Sequence, residues 1–373
     1  MDPETGLATG EPKQVTFFKD SIVHTLQVLG DGSRIGFSMR KYSTYLQVAD
    51  ASSPQDAHSL VVCGMCSPQL SPDGQTVYYM DNAPGEEGIY AISREGGASQ
   101  RLTKSVPFGH RTREYFPWFD LSPDGRTLAY SAKIGEEHAL FTVSASGGEP
   151  RLLARFEGRA QRAGTLPQWS PDSSQLAYAD GRFLCVIPAA GGEPRKLDDR
   201  HGWHDSYVRW SPDGKLIAAL GMADPNSIAV FIVPPSGDEL QQLTPDVVWI
   251  EGFAWHPDGQ RLTYQVPRPD SATYQAYLDG REPTLLVNAP DTYDWHGTWA
   301  PDGRRYFFLG LPGMGMYVYD QSSGETTQIR ERAYISRPCF SRDGKTIAWC
   351  EGRTTSIQTW IMEDFLPESS ADK

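Results

Sequence analysis

The sequence predicts an all-β fold, an eight-bladed β-propeller with four antiparallel strands per blade. Three observations predict it: a turn phrase that recurs at blade length, large apolar residues at fixed offsets on either side of it, and chain ends that each hold part of one blade. The phrase reads Ser71-Pro-Asp-Gly74, Ser122-Pro-Asp-Gly125, Ser170-Pro-Asp-Ser173, Ser211-Pro-Asp-Gly214, His256-Pro-Asp-Gly259, Ala300-Pro-Asp-Gly303 and Ser341-Arg-Asp-Gly344, preceded by a degenerate copy, Leu29-Gly-Asp-Gly32. Its aspartates stand at 31, 73, 124, 172, 213, 258, 302 and 343. Spacings of about 40 to 50 residues are those of a four-stranded propeller blade.

Each phrase has a mechanical reading. Pro presets the first turn dihedral, Asp bonds back to the backbone and Gly accepts positive φ, so the chain reverses tightly between two strands. The aspartates are therefore turn formers. Three residues before each Asp stands a large apolar group (Val28, Leu70, Leu121, Trp169, Trp210, Trp255, Trp299, Phe340). Six residues after it stands an aromatic in all copies but one (Phe37, Tyr79, Tyr130, Tyr178, Tyr264, Phe308, Trp349, with Ala219 the exception). Both positions are expected to pack neighbouring blades together.

A third strand follows in each copy, as in Tyr45 to Val48, Ile89 to Ile92 and Ile357 to Ile361, then commonly a glycine turn (Gly96-Gly97, Gly147-Gly148, Gly191-Gly192) and a short fourth strand such as Gln100-Arg-Leu-Thr103. The last copy runs out without a fourth strand. Gly10-Glu-Pro-Lys-Gln-Val-Thr16 matches fourth-strand phrases such as Gly148-Glu-Pro-Arg-Leu-Leu153. Pairing this N-terminal strand into the last blade would satisfy an open sheet edge. The expected blades lie near 20–62, 63–104, 112–155, 163–199, 205–245, 249–288, 293–331 and 334–364 plus 10–17, within one propeller domain over 1–373.

Composition narrows function. The net charge of −13 sets the molecular field against phosphate backbones and anionic membranes, so no nucleic-acid partner is expected. No apolar run of about 18 residues is present for membrane insertion, and Met1 to Thr16 lacks a secretory pattern. A cytoplasmic address is expected if the chain is complete, and a periplasmic or extracellular one if a signal or anchor has been removed. The opening Asp2-Pro-Glu-Thr-Gly6 itself resembles an inter-strand turn, as though a longer chain began earlier. Five scattered cysteines make no disulfide framework and fit a reducing compartment, with Cys63-Gly-Met-Cys66 read as two small loop cysteines and Cys185 and Cys350 as core. A monomer is expected.

The Trp-Ser-Pro-Asp-Gly phrase, the aromatic-bearing strand after it and the Gly-Gly-x-Pro-Arg-x-Leu endings resemble the TolB-type propeller repeat, a relative of WD-repeat blades, from about residue 10 to 366. The resemblance implies the fold. It spans several functions, among them periplasmic interaction scaffolds, gating domains of serine peptidases, receptor-kinase sensors and oligogalacturonate lyase, because the matching residues are turn and core positions. No Gly-x-Ser-x-Gly elbow follows the repeats, which argues against peptidase chemistry within these residues.

In a propeller, the loops leading from each fourth strand into the next innermost strand converge at the channel mouth. Those loops carry His24; His110, Arg111, Arg113 and Glu114; Trp203, His204 and Asp205; Trp249 and Glu251; Asp294, Trp295 and His296; and Arg337. Six histidines (24, 110, 201, 204, 256, 296) lie on or beside this set. Trp, His and Arg together suit a stacking, hydrogen-bonding pocket, and local positive charge on an acidic protein suits an anionic group. The expected partner is a protein segment or a small polar or anionic ligand such as an oligosaccharide. His201, His204 and His296 are candidates for a divalent metal, against hydrogen-bonded loop histidines; no cofactor is otherwise indicated. Two functions stay open: a binding or scaffold module, and a carbohydrate-active enzyme, either a metal-assisted lyase resembling oligogalacturonate lyase or a hydrolase using Glu114, Asp205, Glu251 or Asp294.

Overall fold

A computed structural model describes residues 21–29, 34–63, 67–81, 86–103, 119–134, 137–156, 166–180, 182–266, 272–288, 297–310, 315–331, 334–335 and 338–363; for 21–42, 204–206, 334–335 and 353–363 it describes the backbone alone. The chain divides into two compact units, Thr44–Glu351 and a smaller one made of Met1–Ser43 with Gly352–Lys373. In the smaller unit, Ser21–Leu29 pairs antiparallel with the strand that begins at Arg34, Ser21 opposite Lys41 and Leu29 opposite Arg34.

The larger unit is a propeller of seven blades, not eight. Blades 1 to 6 each use one stretch of chain: strands Gln69–Leu70, Thr76–Asp81, Gly88–Ser93 and Gln100–Arg101 make blade 1, and blades 2 to 6 follow the same order, opening on Phe119–Leu121, Gln168–Trp169, Trp203–Trp210, Gly252–Trp255 and Thr298–Trp299. Blade 7 is composite. Cys339–Phe340 and the start of the strand Thr346–Glu363 supply its first two strands. The end of the strand Arg34–Asp50 and His58–Cys63 supply the other two, with Thr44 opposite Cys63 and Val48 opposite His58. Head and tail do share the last sheet, but the first and last phrases each contribute half a blade, so eight phrases give seven blades. Ile357 to Ile361, expected as a third strand, instead continues the strand Thr346–Glu363. The expected closing strand at 10–17 lies outside the described residues, as does the turn at 30–33.

The turn reading holds in atomic detail. In blade 1 the Ser71 hydroxyl donates to Asp73 Oδ1 (2.6 Å), Gly74 N–H to the Ser71 carbonyl (2.8 Å), Gln75 N–H to Asp73 Oδ1 (3.1 Å) and Thr76 N–H to Ser71 Oγ (2.9 Å). The same Ser–Asp bond recurs at Ser122, Ser170, Ser211 and Ser341. These serine hydroxyls are the foremost cause holding Asp73, Asp124, Asp172, Asp213 and Asp343 below the ordinary carboxylate range.

The phrases also close the ring. A Cβ on Gly125 of blade 2 would lie 2.7 Å from Pro72 Cδ of blade 1, and Gly214, Gly259 and Gly344 abut Pro171, Pro212 and Pro301 of the preceding blades. Between blades 2 and 3 the Ser173 hydroxyl accepts Asp124 N–H at 3.1 Å. His256 Nε2 lies 2.9 Å from the Gly303 carbonyl, and Gly74 meets Thr346 and Ser341 of blade 7. A second circuit runs through the first strands: the indoles of Trp169, Trp210 and Trp255 donate to the carbonyls of Asp120 (3.2 Å), Gln168 (3.1 Å) and Arg209 (3.2 Å) in the preceding blade, and Trp299 donates to Thr263 Oγ1 (2.8 Å). The aromatics after the turn, from Tyr79 to Trp349, are buried between sheets. Cys63 is disulfide-bonded, against its reading as a small loop cysteine.

Candidate functional site

First strands of successive blades contact one another, so they line the axis; the turn phrases end them at one face and the entering loops begin them at the other. A cavity of about 250 Å³ lies on this axis, lined by Ser67, Pro68 and Gln69 of blade 1, Phe119 and Asp120 of blade 2, Leu166 and Gln168 of blade 3, Thr298 and Trp299 of blade 6, and Pro338, Cys339 and Phe340 of blade 7. Gln69, Asp120, Gln168, Thr298 and Cys339 occupy one structural position, the residue before the packing aromatic or leucine. Strand alternation puts that position on the opposite face of its sheet from the packing residue. In blade 4 the same position is Arg209, whose Nη1 donates to the Val208 carbonyl at 2.8 Å. Asp120 is held by Trp169 N–H, 2.9 Å from its Oδ2. Sequence reasoning looked to the loops and missed this ring; the signal was a polar residue recurring four positions before the turn Asp.

Of the residues singled out from sequence on or beside these loops, five have described side chains. Trp203 is buried, edge-on to Phe231 with ring centres 5.7 Å apart, and packs over Gly221, where a Cβ would meet Trp203 Cζ3 at 3.0 Å. His201 packs tilted against Phe231, ring centres 4.5 Å apart, and its Nδ1 lies 2.9 Å from Asp198 Oδ2. That carboxylate also accepts the backbone N–H groups of Arg200 (2.9 Å) and His201 (3.1 Å) and the Arg200 Nε–H (2.8 Å). Burial pushes Asp198 up, but these hydrogen bonds outweigh it and hold the carboxyl below its usual range. His201 and Trp203 thus fasten the entry to blade 4. His256 sits at the opposite, turn face, in the place of a phrase serine.

Trp249 and Glu251 differ in kind: both stand just before Gly252–Trp255, where the chain enters blade 5. Trp249 is 42% exposed and its neighbour Val248 83%. Burial raises the pKa of the half-buried Glu251 carboxyl, and the nearby Trp249 indole partly offsets this. Glu251 is fixed through its backbone: its N–H donates to the Gln265 carbonyl (3.1 Å) and its carbonyl accepts the Tyr207 hydroxyl. The preceding loop is pinned by the paired backbone bonds of Ile228 and Val247 (2.8 and 3.1 Å).

His24 lies at the register shift between Val23 and Thr25, and His204 and Asp205 in the irregular start of the strand Trp203–Trp210; their side chains are outside the described set. His110, Arg111, Arg113, Glu114, Asp294, Trp295, His296 and Arg337 lie outside the described residues. Among the described residues, no three His, Cys, Asp or Glu side chains group to hold a metal, and no helix is long and apolar enough to cross a membrane.

Seven blades stand around an axial, partly polar cavity. No protein-family model matches the chain. It is 25% identical over 319 residues to dipeptidyl-peptidase 5 of Porphyromonas endodontalis, a match covering 74% of this chain and 43% of that protein. Among solved structures it is similar to the putative TolB of Agrobacterium tumefaciens (TM-score 0.52, 17% identity, 84% of this chain and 99% of that one). It is also similar to oligogalacturonate lyase from Vibrio parahaemolyticus (TM-score 0.57, 15% identity, 89% and 98%). The fold is that of a TolB-type β-propeller. The chain spans 29% to 43% of the length of three curated relatives named as peptidases.

Proposed function

We propose that this propeller is a binding module that takes a peptide segment at the mouth of its axial channel. The observation that carries the reading is the axial cavity, walled by five blades and lined by Gln69, Asp120, Gln168 and Thr298. A concave apolar wall with a few placed amides and hydroxyls matches the backbone amides of an extended peptide. Relatives named as dipeptidyl-peptidases support a peptide over other polar ligands. The seven-membered ring of turns favours a rigid receptor over a lid that closes.

The test uses the immobilised chain and a defined digest of casein, with retained peptides read by mass spectrometry. Gln168→Phe, which fills the cavity, is expected to abolish retention while the circular dichroism spectrum is unchanged. Retention equal to the parent's would overturn the reading. Release of unsaturated product from trigalacturonate would replace it with the lyase alternative.

A further inference from the structure

We propose that a second cavity, in the seam between blades 6 and 7, is a binding site for a free dipeptide, which places its ammonium at Glu325 and its carboxylate at Arg305. The cavity has a volume of about 280 Å³ and shares no lining residue with the axial one, so the proposal stands apart from the reading of the channel.

This seam differs from others in the ring. At the rims of the first three seams, the glycine turns at Gly147, Gly191 and Gly237 sit against Leu102, Leu153 and Leu197 of the preceding blade, each within 4 Å of the glycine's Cβ position. Between blades 6 and 7 the turn is instead the 3-10 turn Pro54–Asp56, and the fourth strand beneath it, Glu325–Arg330, has no leucine. The cavity occupies that rim. Its main wall is one face of blade 6. Arg305, Asp320 and Glu325 stand opposite one another on three adjacent strands, and Phe307, Val318 and Thr327 form the next row on the same face. The two end charges do not meet. Between them the Asp320 carboxylate is held by Arg304 Nη2 (2.9 Å) and the Ser322 N–H (2.8 Å). Arg305 donates from Nη1 to the Ala51 carbonyl (2.8 Å) and its Nη2 lies 3.7 Å from Asp302, so donors of its guanidinium remain. Glu325, exposed on the edge strand, forms no ion pair among the described residues. Two inter-strand steps set the backbones of Arg305 and Glu325 about 10 Å apart. The terminal charges of a dipeptide lie up to about 7 Å apart, and the reach of the two side chains covers the difference, whereas the charges of a single amino acid are too close together to engage both. Half-buried Val318 and Ile329 offer an apolar strip beside the charged row for a side chain of the ligand. A neutral sugar would leave both charges unanswered. A simple cation or anion would be attracted by one end of the row and repelled by the other.

The experiment is calorimetric titration of the intact chain with alanyl-leucine, compared with acetyl-alanyl-leucine, alanyl-leucinamide and free leucine. Alanyl-leucine is expected to bind roughly 5-fold tighter than either blocked form, as one partly exposed charge pair at each end predicts, and tighter than leucine. Glu325→Gln should lose the preference over the acetylated form and keep the preference over the amide, and Arg305→Gln should do the reverse. Thr327→Trp, which fills the cavity from an exposed strand, should abolish binding while the circular dichroism spectrum is unchanged. Equal binding of the free and blocked dipeptides, equal binding of leucine, indifference to Glu325→Gln and Thr327→Trp, or no binding of alanyl-leucine at millimolar concentration would each overturn it. Binding that is lost in Gln168→Phe but kept in Thr327→Trp would put the dipeptide on the axis, removing this site and leaving the channel reading in place.

Discussion

Replacing Gly125 with Ala isolates the contact that joins one blade to the next. Gly125 has φ of 74°, and an Ala there carries the left-handed penalty of about 1–2 kcal/mol. Its Cβ would also fall 2.7 Å from Pro72 Cδ and 3.1 Å from Pro72 Cγ, in the turn of the neighbouring blade. Relieving that overlap requires one blade to move against another and costs about 1–3 kcal/mol more. Gly96 is the control, since its φ is 88° and nothing lies within 4 Å of its Cβ site. Gly125→Ala is therefore expected to lose about 2–5 kcal/mol and Gly96→Ala about 1–2 kcal/mol, read from urea midpoints at unchanged slope. Adding Pro72→Ala should return about 1–3 kcal/mol to Gly125→Ala and nothing to Gly96→Ala. Equal losses in the two glycine variants, with no rescue, would refute the account of the turn ring.

Three further outcomes follow from the same geometry. Trp299→Phe removes the donor to Thr263 Oγ1, a group without solvent access, and should lower stability by about 1–3 kcal/mol, with Thr263→Val in the same chain recovering part of it by chemical denaturation. Glu251 has a folded pKa above its unfolded one, so its contribution is present below the unfolded value and lost as pH rises through the folded value; Glu251→Gln should melt above the parent at pH 7.5 and with it at pH 4, and identical offsets at both pH values would contradict the burial assigned to it. The turn aspartates shift the other way. Their stabilisation is present above the unfolded carboxylate pKa and lost as pH falls through the lowered values, so Ser341→Ala, which frees Asp343, should flatten the acid limb of the melting curve.

Much of the fold was legible because the turn phrase is a local device: Ser, Pro, Asp and Gly each serve bonds within five residues, so their spacing reports the blades directly. The packing positions from Leu70 to Phe340 were legible for the same reason, as a fixed offset from a turn fixes which face of a strand looks at the next blade. The blade count was not. Whether the strand after the first phrase opens its own sheet or completes another depends on the pairing of Thr44 to Asp50 with chain some 300 residues distant, and no local residue encodes that choice. The candidate loop residues were legible by type and position, but their exposure was not. Trp249 and Glu251 stood out by type and loop, but Trp203 has the same signature and is buried against Phe231, because exposure is set by what the third strand of the blade brings beneath it. The axial ring of Gln69, Asp120, Gln168 and Thr298 was hidden by variety, since one position holds an amide, a carboxylate and a hydroxyl in different blades.

The measurement that bears most directly on the central claim is a crystal structure of the purified chain, read for the neighbours of Tyr45 to Val48. The account predicts seven four-stranded sheets, with this segment lying between Val61–Val62 on one side and the strand that starts at Thr346 on the other. A separate eighth sheet containing Arg34–Asp50 as its own inner strands would contradict it, and would move the axis away from the residues assigned to the cavity.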